Sequence, residues 1–86
     1  MNVEQLLLVA REFCRAHRVR INNFAALAAA AAASTATIEG IAVHGSRDAA
    51  AESLETVLRA VPALSGKNEE FARFCAEVYL SVAEVM

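Results

Sequence analysis

The chain has 86 residues, 57% of them apolar, with eight basic and ten acidic side chains and a net charge of −2 at pH 7. Twenty residues are alanine, so only 29 larger apolar side chains remain to fill a core. That length excludes a multidomain enzyme, and two Cys and two His at no ligand spacing exclude a metal-scaffolded mini-protein.

Alanine is the best intrinsic helix former and buries little area per residue. Val, Ile, Tyr, Phe and Thr occur in no alternating run, so strands are not expected. The expected fold is all-α: a single domain over residues 1–86, a small bundle of about four helices with an Ala-rich second helix. A core this thin supports a stability of a few kcal/mol and suggests a chain that completes itself on a partner.

The first helix is expected to open at Asn2, with Gln5 three residues on as its capping partner. Leu6, Leu7, Ala10, Phe13, Cys14 and His17 recur at helical spacing, and Arg11, Arg15 and Arg18 fall on another face. The second helix follows Asn22-Asn23, either of which can cap it. It is expected to run through the Ala tract to about Gly40 or Val43, with Phe24, Leu27, Ala28, Ala31, Thr35, Ile38 and Ala42 on one stripe. Gly40 and Gly45 offer stopping points. The third opens at Ser46 with Asp48 in its first turn, where a negative charge suits the helix dipole. It carries a stripe of Ala50, Leu54, Val57, Leu58 and Val61 and ends at Pro62. The fourth opens near Asn68, with Phe71, Phe74, Cys75, Val78, Val82 and Val85 on one face. Glu55–Arg59 and Glu69–Arg73 are spaced as i,i+4 ion pairs.

The uncharged stretch from Phe24 to Ile38 is 15 residues long and dominated by alanine. It is too short and too weakly apolar for a span of about 20 residues, and with an amphipathic helix before it, it does not read as a leader. The cytoplasm is the expected compartment, with the two Cys as buried thiols.

Charge is unevenly placed: +2 over residues 1–20, −1 over 21–45 and −3 over 46–86. Arg11, Arg15, Arg18 and Arg20 form a cluster with no Lys run, a weak pattern for nucleic acid. A solvated helix end is the expected state of that cluster. His17 and His44 share no motif, Cys14 and Cys75 fall on apolar stripes, and Gly40, Gly45 and Gly66 make no phosphate loop. No enzyme activity and no cofactor are expected.

One local pattern stands apart. Glu39 is the only charged residue between Arg20 and Arg47. On a continuous helix, Thr35 would lie one turn before it on the same face. A carboxylate alone on an apolar helix suits an Arg of another protein in a bidentate pair, and Gly40 permits close approach of foreign backbone.

The segment Ser34-Thr35-Ala36-Thr37-Ile38-Glu39-Gly40-Ile41 resembles the inhibitory helix of small Fic-type antitoxins, with its [Ser/Thr]-x-x-x-Glu-[Gly/Asn] pattern. That resemblance implies a short, all-helical, cytoplasmic inhibitor wrapped around a Fic AMP-transferase. Glu39 would pair with the second Arg of the Fic active-site motif and block productive placement of the ATP γ-phosphate. Thr35 would lie near the ATP phosphates, and Gly40 would be the close-contact position. Read without the resemblance, Glu39 is a solvated residue at a helix end, capped by Gly40. The chain is then a self-associating helical bundle, or an adaptor or chaperone with no role for Glu39.

Overall fold

The computed structural model describes the backbone of residues 1–35, 37–38, 41–42 and 47–85, and the side chains of 1–35 and 48–81. Helix α1 spans Val3–His17. Asn2 caps it through a full capping box: its side chain accepts from the Gln5 N–H at 2.8 Å, and the Gln5 side chain accepts from the Asn2 N–H at 3.0 Å. Two of the helix's orphan donors are thereby satisfied. Arg18 ends α1 in the left-handed region at φ 58°, and the Val19 N–H closes back onto the Cys14 carbonyl at 3.2 Å.

Helix α2 spans Phe24–Ser34, with the Asn23 side chain accepting from the Ala26 N–H at 3.3 Å. Strands β1 (Thr37–Ile38) and β2 (Ile41–Ala42) then pair antiparallel, Thr37 opposite Ala42 and Ile38 opposite Ile41. Helix α3 spans Arg47–Ala60, and α4 spans Asn68–Val85. Ala60 is the last helical residue before Pro62, as expected of a residue that lacks an N–H and crowds the preceding turn. Glu55 and Arg59 form the expected ion pair at 3.1 Å, whereas Glu69 and Arg73 do not reach ion-pair distance.

The four helices make an all-α bundle, and among the described residues a short antiparallel pair of strands, which composition did not anticipate, lies between α2 and α3 in the chain. The α1–α2 and α3–α4 connections lie at the same end. There the Asn22 and Asn23 N–H groups both donate to the Ala63 carbonyl, at 2.8 and 3.0 Å. Asn68 turns its side chain back onto Leu64, accepting from its N–H at 2.9 Å and donating to its carbonyl at 3.0 Å. Successive helices therefore run in alternating directions, the arrangement that short connections favour. Helix α3 packs most extensively on α4 and then on α2, while α1 lies against α2 and α4. The radius of gyration is 12.2 Å, close to the roughly 12 Å of a well-packed chain of this length.

The core joins Leu6, Ala10 and Phe13 of α1 to Leu54 and Leu58 of α3 and to Phe71, Ala72 and Cys75 of α4. Helix α2 adds Ala26, Leu27, Ala30 and Ala31. Phe13 meets Phe71 and Phe74 with ring centroids 5.2 and 5.7 Å apart. Among the described residues, nine of the 17 buried apolar ones are alanine, and side chains this small permit close backbone approach beside the buried Leu and Phe.

Candidate protein-binding face

Helix α2 is the element that sequence periodicity placed least well. Its buried side is Ala26, Leu27, Ala30, Ala31 and Ser34, which keeps Leu27 and Ala31 of the expected stripe but not Phe24, Ala28 or Thr35. Phe24 is 52% exposed, and Ala25, Ala29 and Ala32 face solvent. The last three recur at i, i+4 and i+7, so they share one side of the helix. No charged side chain interrupts α2. The solvent side of this helix is thus a smooth row of methyl groups with an aromatic ring at its start. Such a side offers a partner close approach and makes no demand for polar pairing.

Helix α2 stops at Ser34, short of the expected Gly40 or Val43. The cause is local hydroxyl chemistry. In a continuing helix the Ala31 carbonyl would take the Thr35 N–H. Instead it is approached by the Ser34 hydroxyl at 2.9 Å and the Thr35 hydroxyl at 3.0 Å, while the Thr35 N–H turns to the Ala32 carbonyl at 3.3 Å. Hydroxyl side chains compete with the helix ladder in this way, and the β-branched Thr35, Thr37 and Ile38 favour the extended state that follows. Ser34 is itself buried. Its hydroxyl hydrogen is shared with the Met1 carbonyl at 3.1 Å, and its oxygen lies 3.5 Å from the Met1 amine. Burial lowers the pKa of that amine.

Of the sequence-predicted site residues Thr35, Glu39 and Gly40, the structure describes Thr35 alone. Thr35 is the exposed C-cap of α2. Thr37 and Ile38, between it and Glu39, are extended and paired with β2. The described residues after Ser34 therefore do not continue α2 as a helix. Glu39 and Gly40 lie outside the described residues, as does His44.

The other candidate groups sit in ordinary surroundings. Cys75 is fully buried, and desolvation pushes its thiol up to about 12. Cys14 is half-buried, and burial raises its pKa as well. Neither thiol is activated, since a nucleophilic Cys needs a depressed pKa. His17 is exposed at the edge of the apolar face of α1, and its ring stacks on Phe13 at 4.1 Å. Between α3 and α4 a groove of about 260 Å³ is lined by Arg59, Glu69, Glu70, Arg73, Phe74 and Glu77. It holds charges of both signs around the 39% exposed Phe74, and its lining contains no Ser, Thr, Cys, His or Lys.

Among the described residues no group of His, Cys, Asp and Glu side chains could hold a metal ion, and no helix is long and apolar enough to cross a membrane. No protein-family model, curated protein or solved structure gives a match to this chain.

Periodicity could not have found the α2 face, because a helix that is alanine all round has no amphipathic signal. The one available cue was Phe24. A large aromatic at the first helical position, before any buried residue, has little core to enter.

Proposed function

We propose that this chain is a non-catalytic helical module that works by binding another protein through the solvent side of α2. The observation that carries this reading is the uncharged row Ala25, Ala29 and Ala32 with Phe24 exposed beside it. Small residues let two helices approach closely, so dispersion contacts form along their whole length. A flanking aromatic supplies the large apolar area typical of a binding anchor. Ala29→Lys tests the reading. The site is exposed, so stability should change by no more than about 0.5 kcal/mol. Association, followed by light scattering for self-association and by co-purification for a partner, should be lost. Association undiminished in Ala29→Lys would sink the proposal.

A narrower form follows from the resemblance of residues 34–41 to Fic antitoxins. In that form the partner is a Fic AMP-transferase, Glu39 is the inhibitory carboxylate, Thr35 lies near the ATP phosphates and Gly40 is the close-contact position. The sequence pattern supports it. The fold sets a condition on it: α2 would have to grow past Ser34 on the partner, exchanging the β1–β2 pairing for helix. Coupled ordering of this kind is within the means of a short segment next to a preformed helix. Glu39→Gly decides the mechanism: a variant that suppresses AMP transfer as well as wild type removes Glu39 from it.

A further inference from the structure

The Arg-rich end of α1 and the turn that carries Lys67, far apart in sequence, meet at one end of the bundle. Ile21 and Leu64 form an antiparallel bridge. Next to it the Ser65 N–H donates to the Arg20 carbonyl at 2.8 Å, and the Arg20 N–H donates to the Ser65 hydroxyl oxygen at 2.9 Å. A methyl group built on Gly66 would lie 3.6 Å from Val19 Cγ1. One step further in the same register come Arg18 and Lys67.

Both are left-handed, at φ 58° and 56°. That conformation favours Gly or Asn, yet each position carries a cation. Arg15 and Arg11 precede Arg18 by three and seven residues, so they continue the ridge along one side of α1. Leu8, 63% exposed, lies three residues before Arg11. These four cations, and Arg20 beside the bridge, are all exposed. Among the described residues they make one ion pair, Arg15 to Glu12 at 2.6 Å, itself largely in solvent.

We infer that this ridge docks a short acidic segment of a partner protein, which lays carboxylates on the guanidinium groups and one apolar side chain on Leu8. The inference rests on the protein-binding reading and adds the chemistry of the partner. Guanidinium groups match carboxylates in bidentate geometry. The attraction is local: the whole chain carries −2, and charges more than about 8 Å apart are screened at physiological salt. A long polyanion would meet the acidic 46–86 half as well as the ridge. Among the described residues the exposed Phe side chains, Phe24 and Phe74, belong to α2 and α4 and not to the Arg face of α1, where a ring could stack a base. A short acidic segment therefore fits better than nucleic acid or an anionic membrane.

The test uses a fluorescein-labelled peptide of Glu and Asp with Leu at helical spacing, titrated with the intact chain and read by anisotropy. Saturable binding that weakens with salt is expected. The double variant Arg18→Gly/Lys67→Gly should weaken binding about tenfold while raising the melting temperature by about 4 °C or more, so misfolding cannot mimic the loss. Arg15→Glu/Arg20→Glu, checked by circular dichroism, should abolish binding. No binding by wild type, equal binding by the variants, or tighter binding to a single-stranded oligonucleotide or phosphatidylserine vesicles each overturns the inference. The Ala29→Lys variant separates the two claims. Full peptide binding by Ala29→Lys keeps the ridge whatever becomes of the α2 face. Peptide failure beside α2-dependent association overturns the ridge and leaves the binding reading standing.

Discussion

Enlarging Ala30 to Leu tests whether the Ala tract is a close-packed seam or merely helix-forming filler. Ala30 is fully buried on the side of α2 that enters the core with Ala26, Leu27 and Ala31. Leucine adds three carbons. If the core had room, burying them would stabilise the fold by about 0.8 kcal/mol each, roughly 2 kcal/mol in all. If the backbones are as close as the alanines imply, the same atoms must push α2 away from its neighbours. Overpacking of that kind costs about 1–3 kcal/mol, a large part of the stability expected at this size. Urea unfolding should then show a lower midpoint with an unchanged slope. The melting temperature should fall by about 4–8 °C for each kcal/mol lost. Ala29→Leu is the control: it lies on the exposed side of the same helix and changes propensity almost identically. It should stay within about 0.5 kcal/mol of wild type. An Ala30→Leu variant as stable as Ala29→Leu, or more stable, would refute the seam.

Other consequences are as direct. Asn2→Ala removes the side chain that accepts the Gln5 N–H and should cost about 1 kcal/mol in urea unfolding. Leu58→Ala, at a site 1% exposed in the central cluster, should cost about 2–5 kcal/mol, enough to leave the chain largely unfolded at 37 °C by circular dichroism. Cys75 gives a pH dependence of known sign. Its pKa is about 12 when folded, against an ordinary 9.0. Below pH 9 the thiol is protonated in both states and its full contribution to stability is present. Above pH 9 the unfolded chain loses the proton first, so stability falls with rising pH until the folded pKa is passed. The loss is up to about 1.4 kcal/mol per pH unit, and a Cys75→Ala variant should lack it in urea titrations between pH 8 and about 10.

What was legible in the sequence follows from where it carries contrast. Helices α1, α3 and α4 alternate large apolar and charged residues, so their starts at Asn2 and near Asn68 and the stop before Pro62 could be placed from periodicity and capping chemistry. Their buried faces were right at Leu6, Phe13, Leu54, Leu58, Phe71 and Cys75. The periphery was not: Val61 and Phe74 share those stripes and remain exposed, because a stripe has width and only its centre meets the core. Helix α2 has no contrast to read. Its buried side was decided by how α3 and α1 lie against it, which is tertiary information. The basic ridge was half legible. The Arg run was plain, but Lys67 joins it only through the pairing of residues 20–21 with 64–65.

The stop at Ser34 is the hinge of the narrower functional reading. A helix that ends because two hydroxyls compete for one carbonyl is held back by hydrogen bonds worth about 1 kcal/mol each, and those bonds are recoverable on a partner that favours the helical form. If Glu39 acts from a helix, Thr37 and Ile38 must be extended in the free chain and helical in the complex. Backbone carbon chemical shifts of these two residues report that change without any assay of AMP transfer. The expected result is extended values for the free chain, moving to helical values at saturation with a Fic domain. Extended values that persist in a saturated complex would mean that the carboxylate is presented by a hairpin. The likeness of residues 34–41 to an inhibitory helix would then be one of sequence alone, and the α2 face and the basic ridge would carry the binding.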